Sequence, residues 1–302
     1  MSTLRLATRR SPLALTQAET VRAALAARGV HSELVLVETS GDRRAHESLA
    51  SLGGQGVFAV EIQRALEHDE ADVAVHSAKD LPGLTPAGLE IVCVPERRDP
   101  ADVLVGRSLA GLGPGASVAT GSPRRRALLL ERRPDLRVVE LRGNMASRLA
   151  RAGRDGVDAV VAAAAALERL GETSKVAERL DPEWFVPQVG QGTIALEARR
   201  DDARTRELLA PLNDDAAFTT LACERAFLRE LGAGCSIPAG AHATLADGVL
   251  ELRGVMVDAH GTRSVRALRS GTDAERVGTE LAVHLRDELD GASLEGWSVA
   301  GS

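Results

Sequence analysis

Leu4-Arg5-Leu6-Ala7-Thr8, followed by Arg9-Arg10-Ser11-Pro12, and Ala116-Ser117-Val118-Ala119-Thr120, followed by Gly121-Ser122-Pro123, are one device written twice. Each copy is a short apolar strand, a tight turn, a capping serine and a proline at the first helical position. After Pro12, apolar residues at Ala14, Ala18, Val21 and Leu25 predict a helix with one buried stripe. After Pro123 a helix runs through Arg133. Outward from the first copy, residues 34–39, 72–76 and 90–94 read as strands. The loop Gly53-Gly54-Gln55-Gly56 leads into a helix with Phe58, Ile62 and Leu66 on one face. Outward from the second copy come strand 137–141, the turn Arg142-Gly143-Asn144, a short helix through Arg151 and strand 157–162. Alternation of this kind predicts largely parallel sheets with helices on both faces. The expected fold is α/β, with two similar domains facing one another across a cleft and strand 193–198 crossing back into the first.

The last third changes character. Residues 241–245, 249–257 and 263–270 alternate as strands, with Asp247-Gly248 as a hairpin signal and His260-Gly261 as a second turn. Helices at 215–230 and 273–289 flank them, giving a small α+β domain with a three-stranded antiparallel sheet. The expected boundaries are residues 1–95 with 193–212 for domain 1, 99–188 for domain 2 and 215–302 for domain 3.

Composition narrows the function. Apolar residues make up 44% and charged residues 26% of the 302, which is ordinary for a globular chain. No stretch approaches the roughly 20 apolar residues of a membrane helix, and the N-terminus lacks a signal-peptide core, so a cytoplasmic protein without membrane contact is expected. Cys93, Cys223 and Cys235 form no CxxC pair, and the seven histidines form no HExxH pair, so neither a disulfide framework nor a metal site is expected. The net charge is −6, yet residues 120–154 hold ten arginines against three acids. A basic zone within an acidic chain suggests a polyanionic ligand. Nucleic acid is excluded as a partner, because the chain has no tyrosine and no aromatic interleaving on which bases could stack. A small molecule rich in carboxylates or phosphates fits better.

Three constellations could carry chemistry. The turns at Ser11-Pro12, at Ser122-Pro123 and after Arg142-Gly143-Asn144 offer free amides at helix starts, with Arg9, Arg124, Arg125, Arg142 and Arg148 beside them. Against this stands the ordinary solvated helix face. Val75-His76-Ser77-Ala78-Lys79-Asp80 lies at the C-terminal end of a predicted strand, where ligands of open α/β sheets sit. There Asp80 could transfer a proton or stabilise a cation, or merely pair with Lys79, one of only two lysines. Gly232-Ala233-Gly234-Cys235-Ser236-Ile237-Pro238 puts a cysteine in a glycine-flanked loop, a nucleophile if exposed near arginines, inert otherwise.

Six segments, in order, resemble the porphobilinogen deaminase family. They are Leu6-Ala7-Thr8-Arg9-Arg10-Ser11-Pro12-Leu13-Ala14, Ala74-Val75-His76-Ser77-Ala78-Lys79-Asp80-Leu81-Pro82 and Gly121-Ser122-Pro123-Arg124-Arg125, then Leu141-Arg142-Gly143-Asn144, Val189-Gly190-Gln191-Gly192 and Gly234-Cys235 with Ile237-Pro238. The resemblance covers essentially the whole chain. It implies two domains like periplasmic binding proteins and a smaller third, and a monomeric transferase that joins four porphobilinogen molecules into the linear tetrapyrrole hydroxymethylbilane. It further implies a dipyrromethane cofactor held by a thioether on Cys235, and a transient hand-over of product to uroporphyrinogen-III synthase. By the resemblance Asp80, with Lys79 beside it, is catalytic, contacting pyrrole nitrogens and stabilising the cation of each condensation. Ser77, Lys79, Thr120, Ser122, Arg124 and Arg125 would bind the cofactor's carboxylates. Arg9, Ser11, Gln17, Arg142, Arg148, Arg169 and Gln191 would hold the incoming ring or the growing chain.

Two segments depart from the family pattern. Ser51 and Gln55 stand where the glycine loop often carries lysines, and Thr120-Gly121-Ser122 replaces a Thr-Ser-Ser pattern. Both bear on how carboxylates are held there. The competing readings are a two-domain solute-binding or effector-sensing module without catalysis, and an aminomethyl or acyl transferase using Cys235 as a transient nucleophile. The first leaves the third domain and its cysteine loop unexplained.

Overall fold

A computed structural model describes residues 3–39, 59–232 and 238–297. The chain forms two compact units, Met1–Arg98 with Thr193–Phe218, and Asp99–Gly192 with Thr219–Ser302. The Gly53–Gly56 loop, Phe58, Ser51, Gln55 and Cys235 lie outside the described residues.

The first unit is built on a five-stranded sheet. Strand β1 (Leu4–Arg9) pairs in parallel with β2 (Ser32–Val37) and β3 (Val73–Ser77), and β3 pairs antiparallel with β10 (Ile194–Arg199), which pairs antiparallel with β4 (Leu89–Cys93). Side chains alternate between its faces. Leu4, Leu6, Val73 and Val75 pack against Ala18, Val21 and Leu25 of helix α1 (Pro12–Ala26). Ala7 and Ala74 point the other way, onto Ile62, Ala65 and Leu66 of α2 (Val60–Glu67). The predicted stripe of α1 holds at Ala18, Val21 and Leu25, but Gln17 is buried where Ala14 is only half-buried. A buried amide in that stripe is a polar group the periodicity could not anticipate.

The second unit carries two sheets. One has the order β7 (Arg137–Val139), β6 (Ser117–Ala119), β8 (Ala159–Ala163), β5 (Asp102–Gly106), β9 (Val176–Arg179). Strand β6 is parallel to β7 and β8, and β5 is antiparallel to β8 and β9. This repeats the first sheet strand for strand, with an antiparallel fourth strand in each. Strands β5 and β9 are additions to the sequence reading. Their runs are short, and Asp102 at the head of β5 masks its apolar character. Leu104, Val118, Ala159 and Val161 pack on Ala127, Leu128 and Leu129 of α3 (Pro123–Arg132). On the other face Val103, Val105 and Ala162 meet Leu149 of α4 (Met145–Leu149) and Leu167 of α5 (Ala164–Arg169).

The other sheet is the expected antiparallel meander β11 (Ala239–Ala246), β12 (Val249–Val257), β13 (Ser264–Gly271). Its first turn is the predicted Asp247-Gly248, both residues at positive φ, 50° and 75°, as a type I′ hairpin demands. Leu250, Leu252 and Met256 pack with Cys223, Phe227, Val277, Leu281 and Leu285. Val255 and Val257 point to the opposite face and complete the core around α3. Burial on both faces joins this sheet to its α/β neighbour, and Glu131 of α3 adds polar contacts from Ser264 and Arg266. Helix α6 (Ala203–Leu209) belongs to the first unit, and α7 (Asp215–Glu230) spans the unit boundary and matches its predicted range. The final helix α8 (Ala274–Val283) is shorter than the predicted 273–289, because residues His284–Glu288 continue as a π-helical turn. It crosses α7 closely at Gly278, where any Cβ would collide with the Cys223 carbonyl and the Phe227 amide.

Candidate functional site

In the first unit the strand ends of β1 and β3 meet the start of α1. Ser11 caps α1, its Oγ accepting from the Ala14 amide at 3.4 Å, and Pro12 fills the first turn. A pocket opens there, lined by Arg9, Ser11, Gln17, His76, Ser77 and Asp80. Asp80 closes a single 3-10 turn (Ala78–Asp80) that follows β3 directly, so the sheet fixes its position. Gln17 is 3% exposed, and its Nε2 has no hydrogen-bond partner among the described residues. A buried amide donor beside a pocket is a group that a ligand acceptor would satisfy.

A polar cluster supports the pocket floor. His76 Nε2 lies 3.1 Å from Glu197 Oε2, and Gln63 Nε2 donates to both Glu197 oxygens at 3.1 and 3.0 Å. All three residues are buried, Glu197 completely. The sequence reading missed Gln63 and Glu197. The one signal for Glu197 was an acid within the apolar run of β10.

In the second unit the matching turn is occupied differently. Ser122 caps α3 as Ser11 caps α1, accepting from the Arg125 amide at 3.4 Å, and Thr120 Oγ1 accepts from the Ser122 amide at 3.2 Å. Arg124 is 2% exposed. Its Nη2 donates to Asp102 Oδ2 at 2.7 Å and its Nη1 to the Val186 carbonyl at 2.7 Å, while the guanidinium lies 5.5 Å from the Phe185 ring centroid. Arg125, half-buried, donates to Asp102 Oδ1 through Nε at 2.9 Å and Nη2 at 2.6 Å, and to the Val161 carbonyl at 3.2 Å. Gln191 Nε2 donates to the same Oδ1 at 2.9 Å and to the Pro100 carbonyl at 2.7 Å. Burial pushes the Asp102 carboxyl up, but Arg124 and Arg125 outweigh it and hold it down at about 2. Burial pulls the Arg124 guanidinium below its ordinary value, against Asp102, and an arginine stays charged all the same.

Three other arginines of this unit make their own contacts. Arg142 pairs with Glu140 at 3.1 Å, Arg148 Nε donates to the Gly143 carbonyl at 2.7 Å, and Arg169 Nη2 donates to the Gly192 carbonyl at 2.8 Å. The described geometry thus gathers Arg9, Ser11, Gln17, Ser77 and Asp80 around one pocket, and Thr120, Ser122, Arg124, Arg125 and Gln191 around a second point. Lys79 adjoins Asp80 in the 3-10 turn. Asp102 was not singled out from sequence, although a carboxylate at the head of an apolar strand required a partner.

The first-unit pocket of this α/β protein thus combines a capping serine, the Arg9 guanidinium, an orphaned amide and the carboxylate of Asp80. Residues 4–207 match the family model "Porphobilinogen deaminase, dipyromethane cofactor binding domain", and residues 218–287 match "Porphobilinogen deaminase, C-terminal domain". A porphobilinogen deaminase of Syntrophobacter fumaroxidans is 42% identical over 291 residues, covering 94% of each chain. One of Acidithiobacillus ferrooxidans is 45% identical, covering 93% of this chain and 94% of its own. The chain belongs to the porphobilinogen deaminase family. Among solved structures it is similar to a periplasmic substrate-binding protein of an ABC transporter from Coxiella burnetii, at 17% identity and TM-score 0.43 over 74% of this chain and 97% of the other. It is likewise similar to the methionine-binding protein MetQ, at 15% identity and TM-score 0.42 over 76% and 94%.

Proposed function

We propose that the two groups of residues divide the work of a dipyrromethane-dependent transferase, the Asp80 pocket serving the chemistry and the Arg124–Arg125 turn the holding of carboxylates. The enzyme is a hydroxymethylbilane synthase: it deaminates porphobilinogen and condenses four units head to tail into hydroxymethylbilane, in tetrapyrrole biosynthesis. The observation that carries this reading is the first-unit pocket, where one carboxylate stands among hydrogen-bond donors. That donor set fits a ligand with carboxylates to be bound and pyrrole N–H groups to be accepted.

Bound dipyrromethane supplies the free pyrrole carbon at which each new unit is joined. The chain's own residues do the rest. Asp80 accepts pyrrole N–H groups and stabilises the positive charge that develops at each condensation, with Lys79 beside it. Ser77, Lys79, Thr120, Ser122, Arg124 and Arg125 hold the cofactor's carboxylates. Arg9, Ser11, Gln17, Arg142, Arg148, Arg169 and Gln191 hold the incoming or growing chain.

Cys235 carries the thioether. Cys93 and Cys223 are poor alternatives, since both are buried and burial pushes their thiols up to about 12, leaving almost no thiolate. The chain is organised as three domains, residues 1–95 with 193–212, 99–188 and 215–302, and acts as a cytoplasmic monomer that passes its product to uroporphyrinogen-III synthase. Among the described residues no helix is long and apolar enough to cross a membrane.

Intact mass tests the reading. The purified chain should weigh more than its sequence by one dipyrromethane, with peptide mapping placing the mass on Cys235. Cys235→Ala should lose mass and activity together. An unmodified Cys235 in protein that still makes hydroxymethylbilane would overturn it.

A further inference from the structure

The strongest unassigned feature is the carboxylate that two arginines share. Asp102 is fully buried and accepts four hydrogen bonds, one from Arg124, two from Arg125 and one from Gln191. Three of them converge on Oδ1. Its partners come from α3 and from the segment just before Thr193, where the chain leaves this unit. Asp102 itself lies three residues after the chain enters the unit at Asp99. One carboxylate therefore fixes both arginines and ties together the entry and exit of the second unit.

We infer that Asp102 is a positioning residue for cofactor assembly: by holding the Arg124 and Arg125 guanidinium groups on one buried carboxylate, it sets Arg125, the more exposed of the two, to receive a cofactor carboxylate. This rests on the proposed role of Arg125. The two arginines differ in setting. Arg124 lies in the core on Asp102, the Val186 carbonyl and the Phe185 ring, with its Nε without a partner among the described residues, whereas Arg125, its side chain 11% exposed, also donates to the Val161 carbonyl and Gln191 Oε1 and stands beside the Ser122 cap. Charge supports the inference. Without Asp102 two buried or half-buried guanidinium groups would repel each other, and Arg125 would swing toward water. With it, the pair presents one net positive charge in a fixed place, which suits a single carboxylate.

The experiment follows cofactor loading, not turnover. Apo-protein of each variant is incubated with porphobilinogen, and the rate and extent of the mass gain are read by mass spectrometry, with folding checked by circular dichroism and thermal melting. Asp102→Asn keeps the shape and removes the charge. It should load about ten- to a hundredfold more slowly than the unaltered chain, the loss expected for one charge-assisted contact. Arg125→Leu should fail to load to a similar degree, and the double variant should be no worse than Arg125→Leu alone, since both changes remove one interaction. Asp102→Glu retains the charge on a longer arm. It should stay folded and load between the unaltered chain and Asp102→Asn, a rescue that a purely structural role would not give. Should Asp102→Asn not fold, Asp102→Glu decides alone: folded protein that loads at the normal rate overturns the inference. Folded Asp102→Asn loading normally, or losses that add in the double variant, also overturn it. If Arg125→Leu loads normally, the role of Arg125 itself fails, a result distinct from failure of Asp102 with Arg125 essential.

Discussion

The two α/β sheets share one strand order, one antiparallel fourth strand and one Ser-Pro cap, yet they present opposite chemistry. Register makes the comparison residue by residue. On the fourth strands Ile194 pairs with Ser77 in the first sheet, and Asp102 pairs with Ala163 in the second. Counting on from there, Ser77-Ala78-Lys79-Asp80 corresponds to Ala163-Ala164-Ala165-Ala166. The first sheet thus keeps its fourth strand apolar at the mouth and puts an acid on the turn. The second keeps its turn bare of charge and buries the acid on the strand. After the matching prolines, Leu13 and Ala14 stand where the second copy has Arg124 and Arg125. A duplicated backbone device can therefore be specialised by a few side chains: one copy left open around a pocket carboxylate, the other made into an arginine fork closed on a shared buried carboxylate.

The largest test of that contrast is Asp80→Asn. Losing a preorganised charge at a developing cation should lower turnover by roughly 10²- to 10³-fold, while cofactor mass stays at the unaltered level. Near-normal turnover would mean that the acid of the open copy is no more functional than Ala166 in the closed one.

A smaller effect concerns acid stability. Asp102 is depressed in the folded chain, so its contribution is complete above the unfolded carboxyl value near 3.8 and disappears as pH falls from there to about 2. That difference corresponds to about 2 kcal/mol. Denaturant unfolding at steps from pH 5 to pH 2 should show a steeper loss of stability in the unaltered chain than in Asp102→Asn. Parallel curves would deny the fork its charge.

The smallest effect should be the same in both copies. Ser11→Ala and Ser122→Ala each remove a cap of equal geometry, so each should cost about 1 kcal/mol, read from melting of the two variants. Costs differing by more than about twofold would show that the shared device is not energetically equivalent in its two settings.

Much of this was legible locally. Ser11-Pro12 and Ser122-Pro123 start helices, Asp247-Gly248 turns a hairpin, and 215–230 is a helix, because capping, proline and positive-φ preferences act over a few residues. The clustering of arginines and the placement of Asp80 just after a strand were visible for the same reason. Other features were not. Strand β5 was hidden because its first residue is charged, and only the meeting of Asp102 with Arg124, Arg125 and Gln191, which lie 22, 23 and 89 residues away, makes that charge tolerable in the core. Gln17 sits in an apolar stripe yet is buried toward a pocket. Glu197 depends on Gln63 and His76, 134 and 121 residues earlier. By itself the sequence determined most of the elements, their repetition and the basic zone of residues 120–154, since these follow from nearest-neighbour sterics and local charge. Which arginines became buried structure, and which carboxylate remained at a pocket, was decided only by tertiary contact, because a buried charge is set by partners that distant parts of the chain bring to it.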